Sequence, residues 1–144
     1  MTYEHKVGFR KFKIVLLVAI LVLLICIPVF KYFQLTTDAR ITLREAKNVK
    51  LQLQAIDVEY YALGTSVYDA SSANGLSSGV LERICDFMEN SCEVTIYSYD
   101  KKNRAVTGFI YTNGNYQAVY SYDSELGESW KVSYMMNVLE YDGK

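Results

Sequence analysis

Proline occurs once in these 144 residues, at Pro28, histidine once, at His5, and cysteine three times. Each scarcity excludes something. With its single histidine near the N-terminus, the rest of the chain cannot assemble a histidine-based triad or a multi-histidine metal site. It has no Gly-rich phosphate loop and no CxxC pair. It also lacks the basic aromatic pattern of a nucleic-acid groove, so no direct nucleic-acid partner is expected. The acidic residues show no catalytic spacing. No catalytic residue, metal or cofactor is therefore assigned, and the expectation is a protein that is not an enzyme.

What the chain has in quantity is apolar length. Lys6, Arg10, Lys11 and Lys13 precede Ile14–Phe30, seventeen residues without charge. At about 1.5 Å per helical residue that run reaches about 25 Å, the short end of a bilayer span. Lys31 to Phe33 complete it, with the lysine snorkelling. Within the span, Ile14, Leu17, Ile20, Leu21, Leu24 and Pro28 are the candidate packing residues. After the run only Lys31 and Arg40 follow closely, with Asp38 between them, so the positive-inside bias puts the N-terminus in the cytoplasm. The expectation is a single-pass inner or cytoplasmic membrane protein with an extracytoplasmic C-terminal domain.

Two processing alternatives compete with a permanent anchor. A secretory signal shares the basic and apolar regions but needs small residues soon after them. "CIPVFKYFQL" offers bulky ones, and Ala39 lies late. Cys26 as a lipoprotein acceptor is disfavoured by Ile25 before it and Ile27-Pro28 after it. A buried soluble helix would show a polar face and a capping residue, and this run shows neither.

Beyond the span, Leu35, Ala39, Leu43, Ala46, Val49, Leu53, Ile56, Tyr60 and Leu63 recur at steps of three or four. That is a helix period. Arg40, Arg44, Glu45, Lys47, Lys50, Gln52, Gln54, Asp57 and Glu59 fall between them. With no glycine or proline between Pro28 and Gly64, span and stripe can form one helix of about fifty residues, about 75 Å long. Pro28 should bend it. A coiled-coil dimer through this stripe is the alternative. Small Ala39 and Ala46 and bulky Tyr60 favour packing on the chain's own C-terminal half.

"GTSVYDASSANGLSSG" reads as a surface connection. "SSGVLERICDFMENS" has Val80 or Leu81, Ile84, Cys85 and Met88 at helical spacing, with Ser78 as a candidate cap. Four strand candidates follow: "EVTIYSY", "AVTGFIYT", "YQAVYSYD" and "WKVSYMMN". Asn113-Gly114 is the strongest hairpin signal. An antiparallel meander is the economical topology. Alternation gives one face to Val94 with Ile96, to Phe109 with Tyr111, and to Trp130, Val132 and Tyr134. The thirteen tyrosines suggest an exposed ring-rich opposite face, against the simpler reading that tyrosine favours strands.

Cys85 and Cys92, with six residues between them, form a candidate disulfide outside the cytoplasm. A loop of about eight residues closed this way gains about 2.5 kcal/mol on the chain-entropy model. Two reduced, buried thiols are the alternative. Asp123, Glu125 and Glu128 offer oxygens for calcium, yet lack the spacing of a calcium loop and read as a solvated hairpin tip.

The series from Gly8-Phe9 through Pro28 into "AKNVKLQLQAIDVEYYA", followed by a connection and a meander, resembles the type IV pilins and type II secretion pseudopilins. The resemblance spans nearly the whole chain. It implies cleavage by a prepilin peptidase between Gly8 and Phe9, and packing of apolar helices in a filament core. In that family the fifth place after the cut is a glutamate. Here it is Lys13, with Arg10 and Lys11 also charged.

The expected fold is therefore α+β and pilin-like, a long N-terminal helix, membrane-spanning then amphipathic, packed on a four-stranded antiparallel β-meander. The expected layout is a basic leader at 1–13, a transmembrane helix at 14–33 and an extracytoplasmic domain at 34–144. That domain comprises a helix at 34–63, a connection with a short helix at 64–92 and the meander at 93–137. The resemblance implies a structural subunit of a type IV filament, secretion or DNA-uptake apparatus. Its partners would be the membrane, other pilin-like subunits or further copies, a prepilin peptidase and an assembly platform, with a cell-surface filament as the final location. The alternative is a permanently anchored extracytoplasmic binding or sensing domain.

Overall fold

The computed structural model describes residues 3–88 and 92–134, with side chains from Phe12 onward. Strand residues expected at 135–137 lie outside the described residues. The chain divides into two compact units, Met1–Thr37 and Asp38–Lys144.

Helix α1 runs Tyr3–Ala62 and continues through Pro28. Proline has no N–H to offer the carbonyl four residues earlier, but the flanking turns are rich in good helix formers. The helix begins ahead of the expected residue 14 because the leader holds no proline, and Gly8 alone is too small a penalty to stop it. Its end is a Schellman motif. Thr65 N–H donates to the Tyr60 carbonyl at 2.8 Å and Gly64 N–H to that of Tyr61 at 3.0 Å. Gly64 sits at φ 74°, the left-handed conformation that this closure requires.

In the second unit α1 packs on a meander of four antiparallel strands in the order β1-β2-β3-β4. These are β1 Glu93–Asp100, β2 Ala105–Asn113, β3 Tyr116–Asp123 and β4 Gly127–Tyr134. The α+β, pilin-like layout expected from the sequence is the observed one. Asn113 pairs with Tyr116 across the tight turn containing Gly114. The β3–β4 turn is shorter than expected because β4 starts at Gly127 rather than Trp130. The Asp123 carboxylate accepts the N–H groups of Glu125 and Leu126, at 2.7 and 3.1 Å, and folds that tip back on itself.

The core lies between α1 and one sheet face. Ala46, Val49, Leu53 and Ile56 meet Val94, Ile96, Phe109, Tyr111, Ala118 and Tyr120 there. The seam expected to pack on the chain's own second half does so, which removes the coiled coil through this stripe. The stripe is narrower than its period suggested: Leu35 is 41% and Leu63 77% exposed. Thr42 and Asp57, polar on paper, are buried.

The sheet tyrosines divide: Tyr97, Tyr122 and Tyr134 are about half exposed, whereas others turn inward. Tyr111 and Tyr120 are buried against α1, and Tyr99 packs beside them. Tyr97 crosses the outer surface over Gly108 and donates to the Tyr120 carbonyl at 2.7 Å. A Cβ on Gly108 would stand 2.5 Å from that ring, so glycine keeps the crossing open.

The connection after α1 is also more than surface. It places Val67 and Leu76 in the core. Tyr68 and Leu76 form an isolated antiparallel bridge, and Ser77 N–H donates to the Val67 carbonyl at 2.9 Å. Helix α2, Val80–Met88, follows and buries Val80 and Ile84. Its start is set by Gly79 at φ 81° and by Val80 N–H donating to Ser77, one turn position beyond the proposed Ser78 cap.

Candidate functional site

Among the described residues, two surfaces stand out: the apolar part of α1 and the flanks of α1 where it lies on the sheet. Among the described residues, one helix is long and apolar enough to cross a membrane, and its apolar window is wholly exposed. Ile14, Leu17, Ile20, Leu21 and Leu24 are all more than half exposed. In water, leaving such side chains uncovered forgoes about 1.5–3 kcal/mol each, so a lipid or protein environment is the physical counterpart of this surface. Gly8 and Phe9 fall within α1, in the stretch whose side chains lie outside the described residues.

On the sheet side, Phe109, Tyr120 and Trp130 are cross-strand neighbours and form a ladder of rings. Phe109 and Tyr120 have centroids 5.3 Å apart, Tyr120 and Trp130 4.6 Å. Two lysines of α1 lie over it, Lys50 Nζ 4.6 Å from the Tyr120 centroid and Lys47 Nζ 6.0 Å from that of Trp130. Their stems cover apolar surface while the ammonium groups meet the ring faces. Lys50 also donates to the Glu128 carboxylate. Burial lowers the Lys50 pKa, yet the hydrogen bonds with Glu128 and Tyr120 outweigh it and the net shift is upward. The same bond holds the Glu128 carboxyl below its ordinary value. Lys47, Lys50, Leu51, Glu128 and Trp130 line an open groove of about 470 Å³.

Two buried polar groups pin the unit elsewhere. The Asp57 carboxylate accepts the Val67 N–H at 3.2 Å and lies 3.8 Å from the Arg104 guanidinium. Arg104 in turn donates to the Thr65 carbonyl at 2.7 Å and stacks over Tyr61 at 4.6 Å. This network ties the end of α1 to the β1–β2 turn. Arg104 adopts a left-handed φ of 49° there.

The fully buried Tyr111 donates its hydroxyl to the Glu45 carboxylate at 3.0 Å, where Asn113 Nδ2 also donates at 2.9 Å. Burial, then the adjacent Glu45 charge, raises the Tyr111 pKa well above that of free tyrosine. A raised value means the fold favours the protonated phenol. Its contribution is complete below the unfolded pKa of about 10 and is lost as pH rises through the folded one. Equilibrium unfolding followed from pH 8 to 12 should show stability falling above about pH 10. Tyr111→Phe should flatten that fall, and an unchanged slope would remove Tyr111 as its source.

Cys85 Sγ and Cys92 Sγ lie 2.6 Å apart, as two free thiols, and join α2 to the residue preceding β1. Burial, followed by the neighbouring Cys85, raises the Cys92 pKa. Cys26 is exposed within the apolar part of α1. The carboxylates considered for calcium do not converge: Asp123 is held by its own turn and Glu128 by Lys50.

Sequence reasoning missed Asp57, Arg104 and the paired lysines as positioned groups. A charge at each was visible, but no local signal says that an aspartate four positions after Leu53 turns inward to hold a loop N–H. The aromatic alternation of β2, β3 and β4 was the one hint of the ring ladder. No protein family model, no curated protein and no solved structure matches this chain.

Proposed function

We propose that this protein is a pilin-like or pseudopilin-like structural subunit, held in the membrane by the first part of α1 and destined for a type IV filament, secretion or DNA-uptake apparatus. The observation that carries this is a 60-residue helix whose apolar window is wholly exposed and whose last turns carry a four-stranded meander. Such a chain works by packing: lipid covers the apolar surface before assembly and neighbouring helices cover it afterwards. On this reading the N-terminus is cytoplasmic, the second unit faces outside, a prepilin peptidase cuts between Gly8 and Phe9, and an assembly platform receives the product.

The three cations Arg10, Lys11 and Lys13 favour a second reading. Buried in a filament core without partners, each would cost several kcal/mol. A chain kept as a permanent anchor leaves them at the cytoplasmic face, and its second unit then acts as an extracytoplasmic binding or sensing domain.

The N-terminus and intact mass of protein recovered from native membranes separate the two. A chain starting at Phe9, with a methylated amine, is the expected result for the subunit. A chain retaining the leader would transfer the function to the anchored domain. The same mass reports the cysteines. We expect Cys85 and Cys92 to be joined outside the cytoplasm by exchange with a disulfide donor, which takes up the two protons and two electrons the thiols release. The product is lighter by two hydrogens, and a mass with both thiols retained refutes the bond.

A further inference from the structure

The two edges of the sheet differ. Along β1 the connection lies close, and Ile96 N–H donates to the Asn74 carbonyl at 2.8 Å. Along β4, which pairs with β3 alone, no backbone hydrogen bond among the described residues reaches the outer edge. Natural sheets blunt such an edge with proline, a bulge or charge. The eight residues of β4 hold no proline and keep an unbroken register with β3, which leaves only Glu128 and Lys131. The inward row is also incompletely covered: Trp130 and Val132 are partly buried, and Tyr134 is 48% exposed.

We infer that residues 138–142, "VLEYD", return along the outer edge of β4 as a fifth antiparallel strand. Ten residues, "MMNVLEYDGK", follow Tyr134 directly and lie outside the described ones. A turn of two or of four residues centred on Met136-Asn137 gives one and the same register. Leu139 is then opposite Tyr134, Glu140 opposite Ser133, Tyr141 opposite Val132 and Asp142 opposite Lys131. Opposed residues share a face. Leu139 and Tyr141 therefore extend the inward row, and Tyr141 falls diagonal to Trp130, within reach for an aromatic ring. Glu140 and Asp142 join the outward row, where Asp142 meets Lys131 as an opposite charge. A three-residue turn would reverse every side chain and set Glu140 against Val132.

This occupant also fits better than the alternatives. The segment is tethered to the strand it covers, so pairing carries no association cost, unlike a strand from another molecule. Two copies joined edge to edge through β4 would run antiparallel about a two-fold axis and direct their α1 helices oppositely, against anchoring in one membrane. The fifth strand is compatible with the subunit and with the anchored domain alike, and its test does not touch the N-terminus that separates them.

Hydrogen exchange and quenching of the only tryptophan, Trp130, test this in the full-length, detergent-solubilised chain. Peptides covering β4 should exchange about ten-fold more slowly than in a chain ending at Tyr134, while protected β2 in both reports an intact fold. Leu139→Ser and Tyr141→Ser, on the inward row, should raise acrylamide quenching of Trp130 about two-fold, and Val138→Ser, on the outward row, should leave it unchanged. Lys131→Glu should speed β4 exchange several-fold, and adding Asp142→Lys should restore it. Equal β4 exchange with and without residues 135–144 would overturn the strand and leave the edge to another chain. Equal quenching in the three serine variants would overturn the register. If truncation also exposes β2, the serine variants and the charge exchange decide.

Discussion

Phe109→Ala should destabilise the second unit by about 3–5 kcal/mol, the range for emptying a fully buried aromatic site. Phe109 has no exposed surface. Its ring meets Tyr120 at 5.3 Å and Trp130 edge-on at 6.0 Å. Removing it takes away the inner rung of the ladder on which α1 rests. The neighbours are fixed by the cross-strand pairs Phe109–Tyr120 and Tyr120–Trp130, so the cavity cannot close by simple collapse. Denaturant unfolding monitored by Trp130 fluorescence reads this directly, since Trp130 is the only tryptophan. A loss under about 1 kcal/mol would mean that the site refills and that the ladder is not the centre of the core.

Gly75→Ala should cost about 2–4 kcal/mol, for two reasons that add. Gly75 sits at φ 68°, where a Cβ is strained in any surroundings. That Cβ would also stand 2.4 Å from the Ile96 carbonyl oxygen. Backbone cannot swing aside as a side chain can. The connection would lift from β1 and strain the bond from Ile96 N–H to the Asn74 carbonyl, now 2.8 Å. Gly64→Ala is the matched comparison, because it has the same hand of backbone at φ 74° and open space around the new Cβ. It should lose only about 1 kcal/mol, the left-handed penalty alone. Equal losses at the two positions would show that backbone strain, and not the close approach to β1, governs both.

These effects differ in how far they can be anticipated. Phe109 belongs to an alternating strand, so its inward direction follows from period two once Tyr111 is placed beside it. Gly75 lies in "SSANGLSSG", where nothing local distinguishes a solvated turn from one pressed against a strand. The same holds for Val67 and Leu76, isolated apolar residues in a polar stretch whose two arms are drawn together by the Tyr68–Leu76 bridge and the bond from Ser77 N–H to the Val67 carbonyl. Asp57 is the converse case. A carboxylate at a helical position is ordinarily solvated, and it is buried here because the returning loop brings the Val67 N–H and Arg104 to it.

Local periodicity determined the elements themselves: the apolar run, the long helix ended by Gly64, α2 and four strands with a turn at Asn113-Gly114. Each is set by a repeat of 3.6 or 2 residues and by glycine chemistry acting over a few neighbours. Which helix face meets the sheet could be read from Ala46, Val49, Leu53 and Ile56. Only the tertiary structure decided that lysines 47 and 50 roof an aromatic ladder, that Tyr111 and Tyr120 turn toward α1, and that Cys85 meets Cys92. These outcomes depend on contacts between residues far apart in the chain, whose energies arise only once burial and register have been fixed together.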